Sequence, residues 1–76
     1  MLTVKQAAET ARRSLIDLLG DFEEIRLEEV ESDGGDWLIT LSCVKNTGFA
    51  EREYKIFRIN KSTGDVVSMK IRSLQS

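Results

Sequence analysis

Seventy-six residues with a formal net charge of −2 are too few for two hydrophobic cores, and a chain of this size buries only about 60% of its unfolded surface, so one marginally stable domain spanning residues 1–76 is expected. Cys43 is the single cysteine and there is no histidine, which excludes an internal disulfide, an ordinary zinc site and every Ser-His-Asp or Cys-His catalytic arrangement. The charge is unevenly spread: residues 1–20 carry three basic and two acidic groups, residues 21–44 one and eight, and residues 45–76 seven and three.

These blocks read as acidic and basic strands that pair across one sheet, or as two poles for a charged partner. The opening Met-Leu-Thr-Val-Lys-Gln lacks a charged region followed by an apolar run, so neither a signal peptide nor a membrane span is expected within these residues. A lone cysteine fits a reducing compartment, and the expected location is cytoplasmic.

Thr3 followed by Gln6 has the form of a capping box, and a helix starts there. Val4, Ala7, Ala8, Ala11, Leu15, Leu18 and Leu19 recur at three- and four-residue steps, which predicts an amphipathic helix. Glu9, Arg13 and Asp17 are spaced for ion pairs on the opposite side, and Gly20 is placed to end the helix in a left-handed cap. The alanines allow close approach to a sheet face.

After Gly20 the period shortens to two. Phe22, Ile25 and Leu27 open a first strand over residues 22–31, and Val30 falls out of phase with them, which predicts a bulge near Glu28 or Glu29. Residues 32–36 form a glycine-containing turn. Trp37, Ile39, Leu41 and Cys43 then alternate with Leu38, Thr40, Ser42 and Val44, with the tryptophan side facing the core. Asn46, Thr47 and Gly48 make the next turn, with Phe49 over the end of the core. The third strand, residues 52–60, is apolar on both faces, a pattern of strands covered twice. The fourth begins at Val66, with Val67, Met69 and Ile71 inward and Val66, Ser68, Lys70 and Arg72 outward; residues 73–76 are an end that frays. Short connections favour an α+β fold in which one N-terminal helix packs on a four-stranded antiparallel meander of order 1-2-3-4.

Chemistry is sparse. Cys43 lies on the inward side of its strand, where cysteine acts as a small apolar residue. Glu28, Glu29, Glu31 and Asp33 lack the spacing of a calcium loop and read as solvated edge charge. No glycine-rich phosphate cradle occurs. No cofactor, metal or catalytic residue is expected, and the chain reads as a non-enzyme.

One helix covers one face only, and the other carries Leu38, Val44, Tyr54, Ile56 and Val66 among Thr40, Ser42, Arg58 and Ser68. Scattered β-branched and aromatic residues can reflect strand preference alone. The alternative is a contiguous patch for a protein partner or a second copy of the chain, with Tyr54 and Arg58 as anchors. Nucleic-acid binding through Lys55, Arg58, Lys61, Lys70 and Arg72 beside Tyr54 and Phe57 is the runner-up, disfavoured by the acidic balance.

Two segments carry a family resemblance. Leu2-Thr3 followed by Ala7 and Ala11, and Tyr54 through Ile59-Asn60 with Thr63-Gly64-Asp65-Val66, resemble the opening helix and closing hairpin of PepSY-type domains, over about half the chain. The shape is also similar to cystatin-like folds. The resemblance implies a non-enzymatic domain that binds or restrains another protein, in that family often a peptidase; typical members are exported or membrane-attached, whereas this chain shows no export signal.

Overall fold

The computed structural model describes residues 1–20, 22–45 and 52–72. Helix α1 (Val4–Leu19) precedes strands β1 (Phe22–Asp33), β2 (Asp36–Lys45), β3 (Arg52–Asn60) and β4 (Val66–Arg72). The strands form one antiparallel sheet in the order β1-β2-β3-β4, which is the expected α+β meander. The turn expected at residues 46–48, the placement of Phe49 and residues 73–76 lie outside the described residues.

The capping box closes as the spacing predicts. The Gln6 amide donates to Thr3 Oγ1 at 3.2 Å and the Thr3 amide to Gln6 Oε1 at 2.9 Å. Gly20, at φ 73°, donates its N–H to the Ile16 carbonyl at 2.9 Å and ends the helix. Glu9 meets Arg12 at 3.8 Å, an exposed pair that contributes a few tenths of a kcal/mol.

Ala7, Ala11 and Leu15 are fully buried against Ile39, Leu41, Cys43, Phe57 and Ile59. A buried leucine, isoleucine or phenylalanine contributes about 1.5–3 kcal/mol through its removal from water. The two alanines bring the helix backbone close to the sheet. Leu18 and Val4, expected on the apolar stripe, are instead 65% and 40% exposed. The reason is width: a helix is about 10–12 Å across, whereas strands lie about 4.8 Å apart, so one helix cannot cover all four strands, and of the flanking strands Ile25 and Met69 are only partly buried against the core. Ile71 on β4 and Leu27 on β1 are accordingly 72% and 53% exposed. β3 is likewise buried on its helix side only, at Lys55, Phe57 and Ile59, and not on both.

Three bulges set which residues share a face. In β1 the register slips between Glu23 and Arg26, where Glu24 adopts φ 49°, and again between Leu27 and Glu29. The second slip is the bulge expected near Glu28, and it brings Val30 opposite the core residue Ile39. The third, between Arg58 and Ile59, leaves Val67 as the extra residue and puts Val66 opposite the buried Ile59. Facing residues in a ladder share a side of the sheet. Val66 therefore belongs to the helix side, not to the outward set in which period-two counting placed it.

One end of the sheet is tied together by polar contacts. Trp37 Nε1 donates to the Leu2 carbonyl at 3.1 Å, and the Leu2 amide to the Lys61 carbonyl at 2.6 Å. Lys61 Nζ lies 4.6 Å from the Trp37 ring centroid and donates to Ser32 Oγ and to the Gly34 carbonyl. In the β3–β4 turn, Asn60 Oδ1 accepts from the amides of Ser62 and Thr63, and Thr63 Oγ1 accepts from the Asp65 amide.

Candidate functional site

The register arranges the open face in rows. Glu31, Leu38, Arg58 and Ser68 form one row across the four strands, and Glu29, Thr40, Ile56 and Lys70 form the next. Acidic side chains gather on β1, basic ones on β3 and β4, and apolar and hydroxyl side chains lie between them. The charge blocks of the sequence thus become a gradient across one surface.

Leu38, Ile56 and Arg58 line a shallow cleft of about 170 Å³ together with Ser68 and Lys70. Val44 and Tyr54 lie farther along the same face, half-buried, opposite Arg52 and Ser42 respectively. Five of the six residues expected to share a partner surface are on one face, and Val66 is the exception.

Arg58 is held in place by two carboxylates. Its Nη2 lies 2.9 Å from Asp33 Oδ2 and its Nη1 donates to Asp36 Oδ2 at 3.0 Å. The hydrogen bond to Asp36, followed by that to Asp33, holds the guanidinium proton more tightly than in a solvated arginine and raises its pKa. Asp33 and Asp36 face each other at the end of the β1–β2 ladder, a like-charge pair that is unfavourable without such a bridge. Asp33 was read from the sequence as solvated edge charge and Asp36 as part of a turn, not as partners of Arg58; the signal available was their position on either side of Gly34-Gly35.

The middle of the face is closed by polar side chains. Ser42 is fully buried although no helix covers it. Its Oγ donates to Glu28 Oε2 at 2.6 Å and accepts from Arg52 Nη1 at 2.9 Å. Thr40 is also buried. The open apolar surface is therefore smaller than strand alternation implies and is concentrated around Leu38 and Ile56.

The basic residues of the second half do not converge. Lys55 is buried on the helix side with its Nζ 2.9 Å from Glu53 Oε1. Phe57 is in the core and Tyr54 on the other face, so the two aromatics form no common stacking platform. Cys43 is fully buried, with its thiol 3.9 Å from the Glu53 carbonyl. Burial pushes the Cys43 thiol pKa up, against the smaller opposing influence of Lys55, and a protonated buried thiol is a poor nucleophile. Among the described residues, no three His, Cys, Asp or Glu side chains are grouped to hold a metal ion, and no helix is long and apolar enough to cross a membrane.

Other apolar side chains are exposed on the helix side: Leu27 and Val30 on β1 and Ile71 on β4. They lie at opposite edges of the sheet. No family model, curated protein or solved structure matches this chain.

Proposed function

We propose that this chain is a non-catalytic protein-binding domain whose open sheet face receives a partner protein or a second copy of itself. The observation that carries this reading is the Leu38–Ile56 cleft rimmed by Arg58, Ser68 and Lys70. Its volume of about 170 Å³ lies below the roughly 300–1,000 Å³ of sites that enclose small molecules, which favours a surface contact over an enclosed ligand. Arg58 adds a charged group already fixed by Asp33 and Asp36, so little side-chain entropy is lost when it meets a partner. The PepSY-type resemblance supports the same reading, because it implies a domain that binds another protein.

Nucleic-acid binding is less well supported, since Lys55 is buried on the helix side and Lys61 is engaged with the Ser32 hydroxyl and the Gly34 carbonyl. Buried, unbridged Cys43 is compatible with a reducing, cytoplasmic setting.

Affinity capture with the tagged chain and its Ile56→Glu variant tests the reading. A protein retained by the wild-type chain and lost by a folded Ile56→Glu variant is the expected outcome. Equal retention by both rejects the open face.

A further inference from the structure

We infer that the occupant of the Leu38–Ile56 cleft is an acidic segment of a partner protein, which seats one large apolar side chain against Leu38 and Ile56 and sets a neighbouring carboxylate against Lys70. This rests on the reading of the open face as a protein-binding surface and names the chemistry of what it binds.

Size and charge select that occupant. The cleft of about 170 Å³ is close to the roughly 150 Å³ void that takes up a benzene ring. It has room for one phenylalanine or leucine side chain and not for a cluster. Leu38 and Ile56 give it its apolar lining, and the two charged side chains that line it, Arg58 and Lys70, are both basic. They are not equivalent. Arg58 is neutralised by Asp33 and Asp36, whereas Lys70 is exposed and has no hydrogen bond or ion pair among the described residues. An ammonium at the rim of an apolar cleft is complemented by a carboxylate, and a second cation there is repelled.

The acids of the same face do not supply that carboxylate. Glu29 and Glu31 stand on β1, three strand spacings or about 14 Å from β4, and exposed charges are screened over about 8 Å at physiological salt. They set the direction of approach instead: a carboxylate placed over β1 meets like charge, and one placed over β4 meets Lys70. Ile56 and Lys70 are direct partners across the β3–β4 ladder, with Cβ atoms about 5 Å apart. The acidic and apolar side chains of the partner therefore lie within one or two residues, or one helical turn, of each other. One anchor and one exposed ion pair make the isolated segment a weak ligand, measured at millimolar peptide.

The probe is the blocked peptide acetyl-Glu-Glu-Phe-Glu-Glu-amide, titrated into the full chain and followed by amide chemical shifts, whose dispersion also reports folding of each variant. Two analogues separate the contributions, one with every glutamate replaced by glutamine and one with the phenylalanine replaced by alanine. The expected result is shifts centred on Leu38, Ile56, Ser68 and Lys70. The glutamine analogue binds about threefold more weakly and the alanine analogue about tenfold more weakly. In Lys70→Gln the preference for glutamate over glutamine disappears while the preference for phenylalanine stays. No binding of the acidic peptide overturns the inference, as does equal binding of the glutamine analogue, or a glutamate preference that survives Lys70→Gln. Shifts at the same residues on raising the chain's own concentration without peptide put a second copy in the cleft and overturn it too. A chain that ignores the peptide yet retains a lysate protein, lost on Ile56→Glu, removes the acidic segment and leaves the protein-binding reading standing.

Discussion

Arg58 and Asp33 belong to strands separated by β2, yet their side chains meet at 2.9 Å, and the same guanidinium reaches Asp36 at 3.0 Å. One arginine thus ties three strands together on the open face and relieves the juxtaposition of two aspartates across the β1–β2 hairpin. The anchor of the proposed binding surface is also a structural clamp.

Replacing Arg58 with alanine leaves Asp33 and Asp36 facing each other without a bridge. The expected outcome is a lower melting temperature, with a deficit that shrinks as salt screens the two carboxylates. Arg58→Lys recovers only part of the loss, since a single ammonium cannot present two forked donors. Melting curves at two ionic strengths check both statements.

Gly64 sits at φ +78° with a would-be Cβ 3.3 Å from the Leu2 side chain, whereas at Gly35 nothing lies within 4 Å. Gly64→Ala is expected to cost about 1–2 kcal/mol from the left-handed backbone alone, with crowding of Leu2 added. Gly35→Ala stays within about 0.5 kcal/mol of the parent. Urea titrations of the two variants provide the comparison.

The helix offers a similar contrast. Ala11 is fully buried and Leu18 is 65% exposed, so Ala11→Leu overpacks the helix–sheet interface by about 1–3 kcal/mol. Leu18→Ser stays within about 0.5 kcal/mol of the parent. Equal destabilisation by the two would place Leu18 back in the core.

Much of this fold was legible because it is written in local rules. The Thr3–Gln6 box, the Gly20 cap, the alternation of residues 37–43 and the bulge at Glu28 each follow from a residue type at a fixed spacing. What the sequence concealed is nonlocal. The bulge at Val67 put Val66 on the other face, because a single unpaired residue breaks the alternation between the residues before and after it, while Ser68, Met69 and Lys70 keep their expected sides. The exposure of Leu18, Leu27 and Ile71 depends on how much of the sheet one helix can span, which periodicity does not encode. The burial of Ser42 beneath Glu28 and Arg52 requires knowing which charged residues are neighbours across strands.

Cys43 gives a pH prediction. Its folded-state pKa is raised above the ordinary thiol value by burial. The unfolded chain therefore loses the thiol proton first as pH rises, and stability conferred by the neutral buried thiol, full below the unfolded pKa, is lost as pH climbs through the folded value. Stability of the wild-type chain should fall more steeply on the alkaline side than that of Cys43→Ala, as read by denaturant midpoints across the alkaline range. Parallel profiles would contradict it.

The account's central claim is that association uses the open face rather than the exposed apolar residues beside the helix. Amide chemical shifts, followed on adding a captured partner and on raising the chain's own concentration, test this most directly. The account predicts shifts at Leu38, Ile56, Arg58, Ser68 and Lys70 in whichever titration shows binding, and their collapse in Ile56→Glu. Shifts centred instead on Leu27, Val30 and Ile71, or none in either titration, would contradict it.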